Sequence, residues 1–364
     1  MKPSDFLRAA VAQERDGKVE IRKDQLQALM GGELPDAIKK AREIHARGKK
    51  PQVVRVRRSF VRLEKFGGAV ETERKPLPRA ERPLSAQMIT PKGLTLKLYL
   101  LMLFAAQCEA AVGKEWPQPY PIEPDAQKTD SWEGLVATVA KYAGPGVQAS
   151  SVRTNKIRQI AQAMKALEEM GLLKSATGIK GQVRRGVLLL CENGKSKDTG
   201  AASIPYTVPA DDERFLEIPI GFFTNGWVHV LTNSEIAALL MWFDVMKFDA
   251  MHVTPEGRAP MTVGYVLSNV RHGFYGLGRD TYETHKPLEA FQLLDVHRPS
   301  KRYDSGKWKD FEEDSSGMVC HRVVLRDGAF DKEAGPVVEE VLKRRDATNE
   351  WRRSFGGFLQ PQRW

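Results

Sequence analysis

Apolar residues recur at helical spacing in the segment that begins at Ser150. They fall at Ile157, Ile160, Ala161, Met164, Ala166, Leu167 and Met170. This spacing predicts one buried face of a helix, with serine as the N-terminal cap and Gly171 at the C-terminal end. Short apolar runs at 172–175 and 187–191 flank a basic turn. The pattern therefore predicts a helix followed by a strand, a turn and a second strand.

The same order recurs in the second half of the chain. Thr232 or Ser234 caps an apolar helix, and a second helix is predicted over about 263–275. A third helix is predicted from Gly278, followed by a strand and a long hairpin. Pro287 interrupts this third helix, because proline either kinks a helix or occupies its first turn.

Helix, strand and linker signals divide the chain into five parts. Residues 1–84 form an N-terminal helical and basic region, 85–194 a first helix–hairpin unit, 195–214 a flexible polar linker, 215–330 a second unit, and 331–364 a C-terminal helix with a basic and aromatic tail. The first unit is predicted to contain helices at about 95–107 and 131–143 before the one described above.

Positive charge is concentrated before the first unit. The chain has a net charge of +10, and the stretch from Arg47 to Arg82 contains twelve Lys or Arg and four Glu. Concentrated positive charge favours a polyanionic partner such as nucleic acid, the alternative being a solubilising linker. Near-alternating arginines over about 52–63 are strand-like. We expect a basic arm that follows a phosphate backbone or enters a minor groove.

Motifs of catalysis are absent from the sequence. It has no Walker A loop, no Gly-rich dinucleotide fingerprint, no His-Glu-x-x-His and no Gly-x-Ser-x-Gly. Its seven histidines are scattered, and its three cysteines lack metal-ligand spacing. We therefore expect no enzyme, no cofactor, no metal and no small-molecule substrate. With no signal peptide and no membrane-length apolar run, we expect a cytoplasmic protein without a membrane partner.

The repeated order of elements resembles the winged-helix DNA-binding domain, with its recognition helix and β-hairpin wing. Two copies joined by a linker resemble the tandem winged-helix architecture of plasmid replication initiators. The resemblance implies a mainly helical α+β fold with two winged-helix domains in tandem and a basic N-terminal extension. It implies binding of double-stranded DNA at repeated or palindromic origin sites, with one domain also serving homodimerisation.

Two alternatives keep the same fold or part of it. A transcriptional repressor or a partition-type DNA organiser reads repeats with the same domains, and a protein-interaction module uses winged helices to bind other partners. The basic wings and the basic arm favour DNA.

The resemblance also implies which residues contact DNA. Arginine pairs with guanine through two hydrogen bonds, and Asn or Gln pairs with adenine. The first recognition helix offers Arg153, Asn155, Lys156, Arg158 and Gln159, and the first wing offers Lys180, Arg184 and Arg185. The second helix offers Arg279, Thr281, Tyr282, Thr284, His285 and Lys286, and the second wing Arg298, Lys301, Arg302, Lys307 and Lys309. The basic arm adds Arg55, Arg57 and Arg58.

Overall fold

The structure is a computed structural model of the chain, and its fold is α+β and about half helical, with small antiparallel sheets. It describes residue 17 and residues 19–67, 77–89, 93–116, 120–124, 129–139, 152–175, 187–193, 203–253, 261–297 and 321–354.

The helices and strands are as follows. Before the second half of the chain they are α1 (residues 19–30), α2 (Glu33–Arg47), β1 (Val53–Arg57), α3 (Arg58–Val61), a 3-10 turn (Arg79–Glu81), α4 (Leu84–Gln87), α5 (Thr95–Glu109), α6 (Trp132–Leu135), α7 (Val152–Glu169), β2 (Leu173–Ser175) and β3 (Val187–Leu189). They continue with β4 (Phe215–Pro219), α8 (Gly221–Thr224), α9 (Trp227–Val230), α10 (Asn233–Phe248), β5 (Met251–Val253), β6 (Met261–Val263), α11 (Ser268–Tyr275), α12 (Arg279–Tyr282), α13 (His285–Ala290), β7 (Leu294–His297), β8 (Arg322–Leu325) and α14 (Ala334–Ser354).

Two helices form the centre of the hydrophobic core. In α5 and in α10, nearly every side chain from the second turn onward is buried, so neither helix presents a solvent face. A helix that is apolar on all sides is stable only when other elements surround it. α5 packs against α2, α7, α9 and β1, and α10 packs against α3, α12, α13 and β4.

A two-stranded sheet joins the N-terminal region to the second half of the chain. β1 pairs antiparallel with β4, with Val54 opposite Ile218 and Val56 opposite Leu216, and all four side chains are completely buried. The predicted strand around 52–63 is confirmed over β1. Its role as a free arm is wrong, because the pairing with β4 and the packing on α5 place β1 within the core.

Each helix–hairpin segment ends in an antiparallel pair. β2 pairs with β3, and β7 pairs with β8. Gly264, directly after β6, exchanges two backbone hydrogen bonds with Val323 of β8, with both N–O distances at 2.8 Å. The β6, β8 and β7 segments therefore lie side by side behind α10 to α13.

Several predicted elements are confirmed. The Thr232 hydroxyl caps α10 by accepting a hydrogen bond from the Glu235 N–H. The Glu235 carboxylate accepts a bond from the Thr232 N–H, which completes a capping box. α7 ends at Glu169, and Gly171 in the turn that follows adopts φ +70°, as a glycine after a helix often does. The predicted C-terminal helix is α14.

The helix predicted over 131–143 is shorter in the structure. α6 ends at Leu135, and Val136 is already extended. The backbone N–H groups of Ala137 and Thr138 instead donate to His229 and Glu33. These long-range acceptors replace the helical hydrogen bonds, which no local pattern predicts.

The helix predicted from Gly278 is two helices. α12 ends at Tyr282 and α13 begins at His285, so that Pro287 occupies the first turn of α13. Proline is tolerated there because the first N–H groups of a helix have no intrahelical partner.

Part of the predicted linker packs on the core. Tyr206 and Val208 are buried, and Tyr206 N–H donates to Leu189 O at 2.9 Å. The segment around Tyr206 therefore extends the β2–β3 pair, whereas Asp211 and Asp212 are exposed. No helix among the described residues combines the length and apolar content that crossing a membrane requires.

Candidate nucleic-acid interface

The outer face of α7 is polar and exposed along its length. The apolar residues Ile160, Met164 and Leu167 are buried against the core, as the spacing predicts. Arg153 and Arg158 lie on the exposed side. Of the five residues predicted on this helix, these two have the accessibility that a DNA contact requires.

Asn155 and Lys156 are buried, so their predicted contacts with DNA are wrong in this structure. Asn155 is 3% exposed and Lys156 is 6% exposed. Lys156 Nζ pairs with Glu33 of α2 at 3.1 Å, and this ion pair holds the first turns of α7 against the N-terminal region. The spacing rule assigned only apolar residues to the buried face, but that face is wide enough near α2 to include these two polar residues.

Gln159 is half-buried and faces the protein. Its Oε1 accepts a hydrogen bond from the Thr138 hydroxyl at 2.9 Å. Gln159 therefore positions the chain between α6 and α7, and its predicted contact with adenine is replaced by this bond.

Arg153 and Arg158 differ in their partners. Arg153 bonds with Glu133 of α6 through two of its nitrogens, at 2.5 and 2.9 Å, and with Glu123 at 3.3 Å. The hydrogen bond and charge of Glu133 raise the pKa of Arg153. Arg158 instead donates to the Asn155 amide oxygen at 2.9 Å. An arginine has five N–H donors in a planar fork, and Arg158 is exposed, so it retains donors for a further partner.

Six further polar residues share this exposed surface and were not singled out from the sequence. They are Thr154, Gln162, Lys165, Glu168 and Glu169 of α7 and Lys174 of β2, and Lys165 pairs with Glu169 at 3.9 Å. Thr154, Arg158 and Gln162 are spaced four residues apart, so they form one row along the helix. This i, i+4 row of polar residues is a sequence signal that would have found them.

The corresponding helix of the second unit is close to neutral. Arg279 and Lys286 are exposed, and both lie beside Glu283. Burial alone would raise the pKa of Glu283, but the hydrogen bond and charge of Lys286 and the charge of Arg279 lower it. Asp280 adds a second exposed carboxylate. Two cations and two anions cancel on this surface.

The other residues predicted on the second helix face inward. Thr281 is 8% exposed and His285 is 1% exposed, and neither is accessible to a groove. Tyr282 and Thr284 are half-buried. The Tyr282 ring packs beneath the Arg271 guanidinium at 4.7 Å and beside the His285 ring at 5.0 Å. The predicted contacts of Thr281 and His285 are wrong, because breaking the helix turns this side toward α10 and α11.

The three arginines of the predicted arm are all engaged within the protein. Arg57 is 8% exposed and bonds to Glu192 at 2.9 Å and Glu213 at 2.5 Å. Burial alone would lower the pKa of Arg57, but these carboxylates raise it, so the guanidinium stays charged.

The neighbouring arginines have similar partners. Arg58 bonds to Asp244 at 2.8 Å and Arg55 to Asp211 at 2.7 Å. The guanidinium of Arg55 also lies 4.5 Å from the Phe215 ring centroid. The prediction of a DNA-binding arm is wrong for these residues, because their positive charge is cancelled by acidic residues that are distant in sequence.

The predicted wing residues lie outside the described residues. They are Lys180, Arg184, Arg185, Arg298, Lys301, Arg302, Lys307 and Lys309. Their sequences nevertheless differ in charge. Residues 176–186 contain three basic residues and no acidic ones, whereas 298–320 contain five of each. By sequence, the turn of the first unit is therefore positive and that of the second is balanced.

The part of the chain that the structure describes contains no group of three or more His, Cys, Asp or Glu arranged to hold a metal ion. No protein-family model matches the chain, and no curated protein or solved structure matches it. The functional assignment therefore depends on the site alone.

Proposed function

We propose that this protein binds double-stranded DNA sequence-specifically through two winged-helix domains in tandem, and that it acts in replication initiation at repeated origin sequences. The observation that carries the proposal is the recurrence of one element order. The first unit runs α5, α6, α7, β2, β3, and the second runs α10, β5, β6, α11, α12, α13, β7, β8. The part that recurs is a buried apolar helix, further helices and a terminal antiparallel strand pair, and the second unit adds the β5–β6 pair after its first helix. In the second unit, the Gly264–Val323 pairing sets β6 beside β8, as in the three-stranded sheet of a winged helix.

The first unit is the main DNA-binding surface in this proposal. Its helix presents Thr154, Arg158 and Gln162 in one row, with Lys174 on the adjoining strand. Helix residues of this kind read base edges in the major groove, while basic turn residues hold phosphates. Lys180, Arg184 and Arg185 supply the basic turn. The second unit, with its balanced charges, contributes mainly through positioning and self-association.

Selection from a randomised duplex library tests the proposal. The full chain is incubated with the pool at moderate salt, and the retained duplexes are amplified and sequenced over several rounds. The proposal expects one enriched motif and tighter binding to tandem copies of it than to a single copy. Retention of all sequences equally, or no retention, contradicts sequence-specific binding.

Two further measurements address the role in replication. Permanganate probing of a supercoiled plasmid that carries the tandem motif reports local strand opening, which initiation requires and simple repression does not. A metal-dependent nicking assay on the same plasmid is expected to show no cleavage. Nicking would assign an enzyme instead.

A further inference from the structure

A cavity of about 450 Å³ lies beneath α7. It is lined by α1, the N-terminal end of α5, the segment 137–139, α7, the junction of α9 with α10, and α14. We call it the Lys97 cavity, and its polar lining residues include Arg22, Lys97, Thr138, Gln159, His229 and Asn233. The volume falls within the range of about 300–1,000 Å³ that is usual for small-ligand sites.

The charged lining of the cavity is positive. Arg22, Lys97 and His229 are its ionisable side chains, and the described lining includes no Asp or Glu. Arg22 is neutralised by Glu235, with two bonds of 2.7 and 2.9 Å. No described carboxylate forms an ion pair with Lys97, whose Nζ donates to the His229 carbonyl oxygen at 2.7 Å. Lys97 therefore carries the uncompensated charge of the cavity.

The charged form of Lys97 is destabilised by its surroundings. Burial lowers the pKa of Lys97 to about 8. The positive charge of Arg22 lowers it further, and the negative charge of Glu235 partly offsets both effects. At neutral pH the ammonium is still mostly protonated. Lys97 is half-buried, and a cation that is partly removed from water without an ionic partner is unfavourable. An anion bound in the cavity would offset this cost.

His229 adds a polar atom without a hydrogen-bond partner beside Lys97. Its side chain is 1% exposed, and burial, with the charges of Lys97 and Lys156, lowers its pKa to about 3. Nδ1 accepts from the Ala137 N–H at 3.4 Å, which assigns the remaining proton of the neutral ring to Nε2. Nε2 has no hydrogen-bond partner among the described residues. Buried donors without an acceptor are rare in proteins.

We propose that the Lys97 cavity binds a small organic anion through a carboxylate or phosphate group that pairs with Lys97. The hydroxyl of Thr138 and the amides of Gln159 and Asn233 line the same cavity and suit the polar remainder of such a ligand. The site is separate from the exposed face of α7. Its occupancy is measured without DNA, so failure of the DNA proposal leaves this test unaffected.

Isothermal titration calorimetry of the full chain tests the proposal, with inorganic phosphate and succinate as separate probes. We expect the wild-type protein to bind at least one of them. Lys97→Met has a similar volume and removes the ammonium, so it is expected to weaken binding at least tenfold. Lys165→Met removes an exposed cation from α7 and should leave binding within twofold. The probe that binds identifies the ligand group.

Far-UV circular dichroism and thermal unfolding establish that the variants are folded. Lys97→Met is expected to unfold at the same temperature as wild type or higher, since it removes a half-buried charge that has no ionic partner among the described residues. Lys97→Gln is the second variant if Lys97→Met does not fold. Absence of binding by the wild type overturns the proposal. Equal binding by wild type and the Lys97 variant does so too, and would mean that the anions bind exposed cations only.

Discussion

The arginines of β1 and those of α7 look alike in the sequence and have opposite environments in the fold. Arg57 is buried between Glu192 and Glu213, which lie 135 and 156 positions further along the chain. Arg158 is exposed, and it donates a hydrogen bond to the amide oxygen of Asn155. The comparison teaches that a run of positive charge indicates a polyanion site only if the fold leaves it without carboxylate partners.

The two helix–hairpin units extend this lesson. α7 is continuous over 18 residues, and Arg158 lies on its open face. In the second unit, α12 and α13 are separate, and Glu283 pairs with both Arg279 and Lys286. Similar element order therefore does not imply equal affinity for DNA, and the first unit is the one we expect to dominate.

The largest expected effect is the loss of the buried arginine of β1. Arg57→Ala leaves Glu192, which is fully buried, without its cation. Breaking a buried pair from one side costs about 3–5 kcal/mol, and we expect this loss in the free energy of unfolding by urea.

The matched control is Arg55→Ala, because its partner Asp211 is 85% exposed. Exposed pairs contribute about 0–1 kcal/mol. The contrast between β1 and α7 would fail if Arg57→Ala were as stable as wild type and bound DNA more weakly.

Arg158→Ala on α7 is expected to weaken DNA binding and to leave the stability of the fold nearly unchanged, the opposite of Arg57→Ala. Removing an arginine that reads a base should cost about 1–3 kcal/mol of binding and relax the preference at one position of the selected motif. The free energy of unfolding should change by less than about 0.5 kcal/mol, as for other surface positions. Fluorescence anisotropy with the selected duplex measures the affinity.

Arg279→Ala, at the second unit, is the matched control for Arg158→Ala. Its charge is already balanced by Glu283, so a smaller loss of affinity is expected. Equal losses from the two variants would show that the units contribute alike.

A smaller effect is expected from the basic turn of the first unit. Lys180→Ala should weaken binding to all duplexes similarly and reduce the slope of log K against log salt by about one unit. Lys301→Ala, in the charge-balanced segment 298–320, should change this slope less. Affinity measured at several salt concentrations gives both slopes. A larger change from Lys301→Ala would reverse the assignment of the two turns.

The smallest expected effect concerns the acid sensitivity of the β1 ion pairs. Burial alone would raise the pKa of Glu213, but the hydrogen bond and charge of Arg57 lower it below the ordinary value of 4.5. A carboxyl with a lower pKa in the folded state stabilises the fold above pH 4.5, and this contribution is lost as the pH falls below that value.

Glu213→Gln should therefore reduce stability at pH 7 by about 1 kcal/mol or less, as expected for a partly exposed pair. The difference from wild type should shrink on acidification toward pH 3. Urea unfolding at several pH values measures it, and Asp211→Asn is the matched control. A difference that grows with acidification would contradict the role of Arg57.

Local elements were predictable where the signal lay within a few residues. The apolar spacing of α7, the Thr232 cap of α10 and the glycine at the end of α7 each depend on neighbours within one helical turn. The exposed residues Arg153 and Arg158 followed from the same helix geometry.

The wrong predictions share a different cause, because each depends on a contact with a residue that is distant in the sequence. Lys156 is buried because Glu33 lies against it, and α6 ends early because Glu33 and His229 accept its next backbone N–H groups. The predicted arm is a core strand because β4 pairs with it. Each of these partners belongs to a different helix or strand, far along the chain from the residue that it contacts.

The sequence by itself determined α5, α7, α10 and β1, the cap of α10 and the strand pairs that end the two units, because hydrophobic spacing, caps and helix-ending glycines act over a few residues. Only the tertiary structure decided which charges remain exposed and which are cancelled. Electrostatic pairing depends on distance in space, and folding brought Glu192, Glu213 and Asp244 to the arginines of β1. The same folding left Lys97 beside a cavity without a carboxylate partner among the described residues.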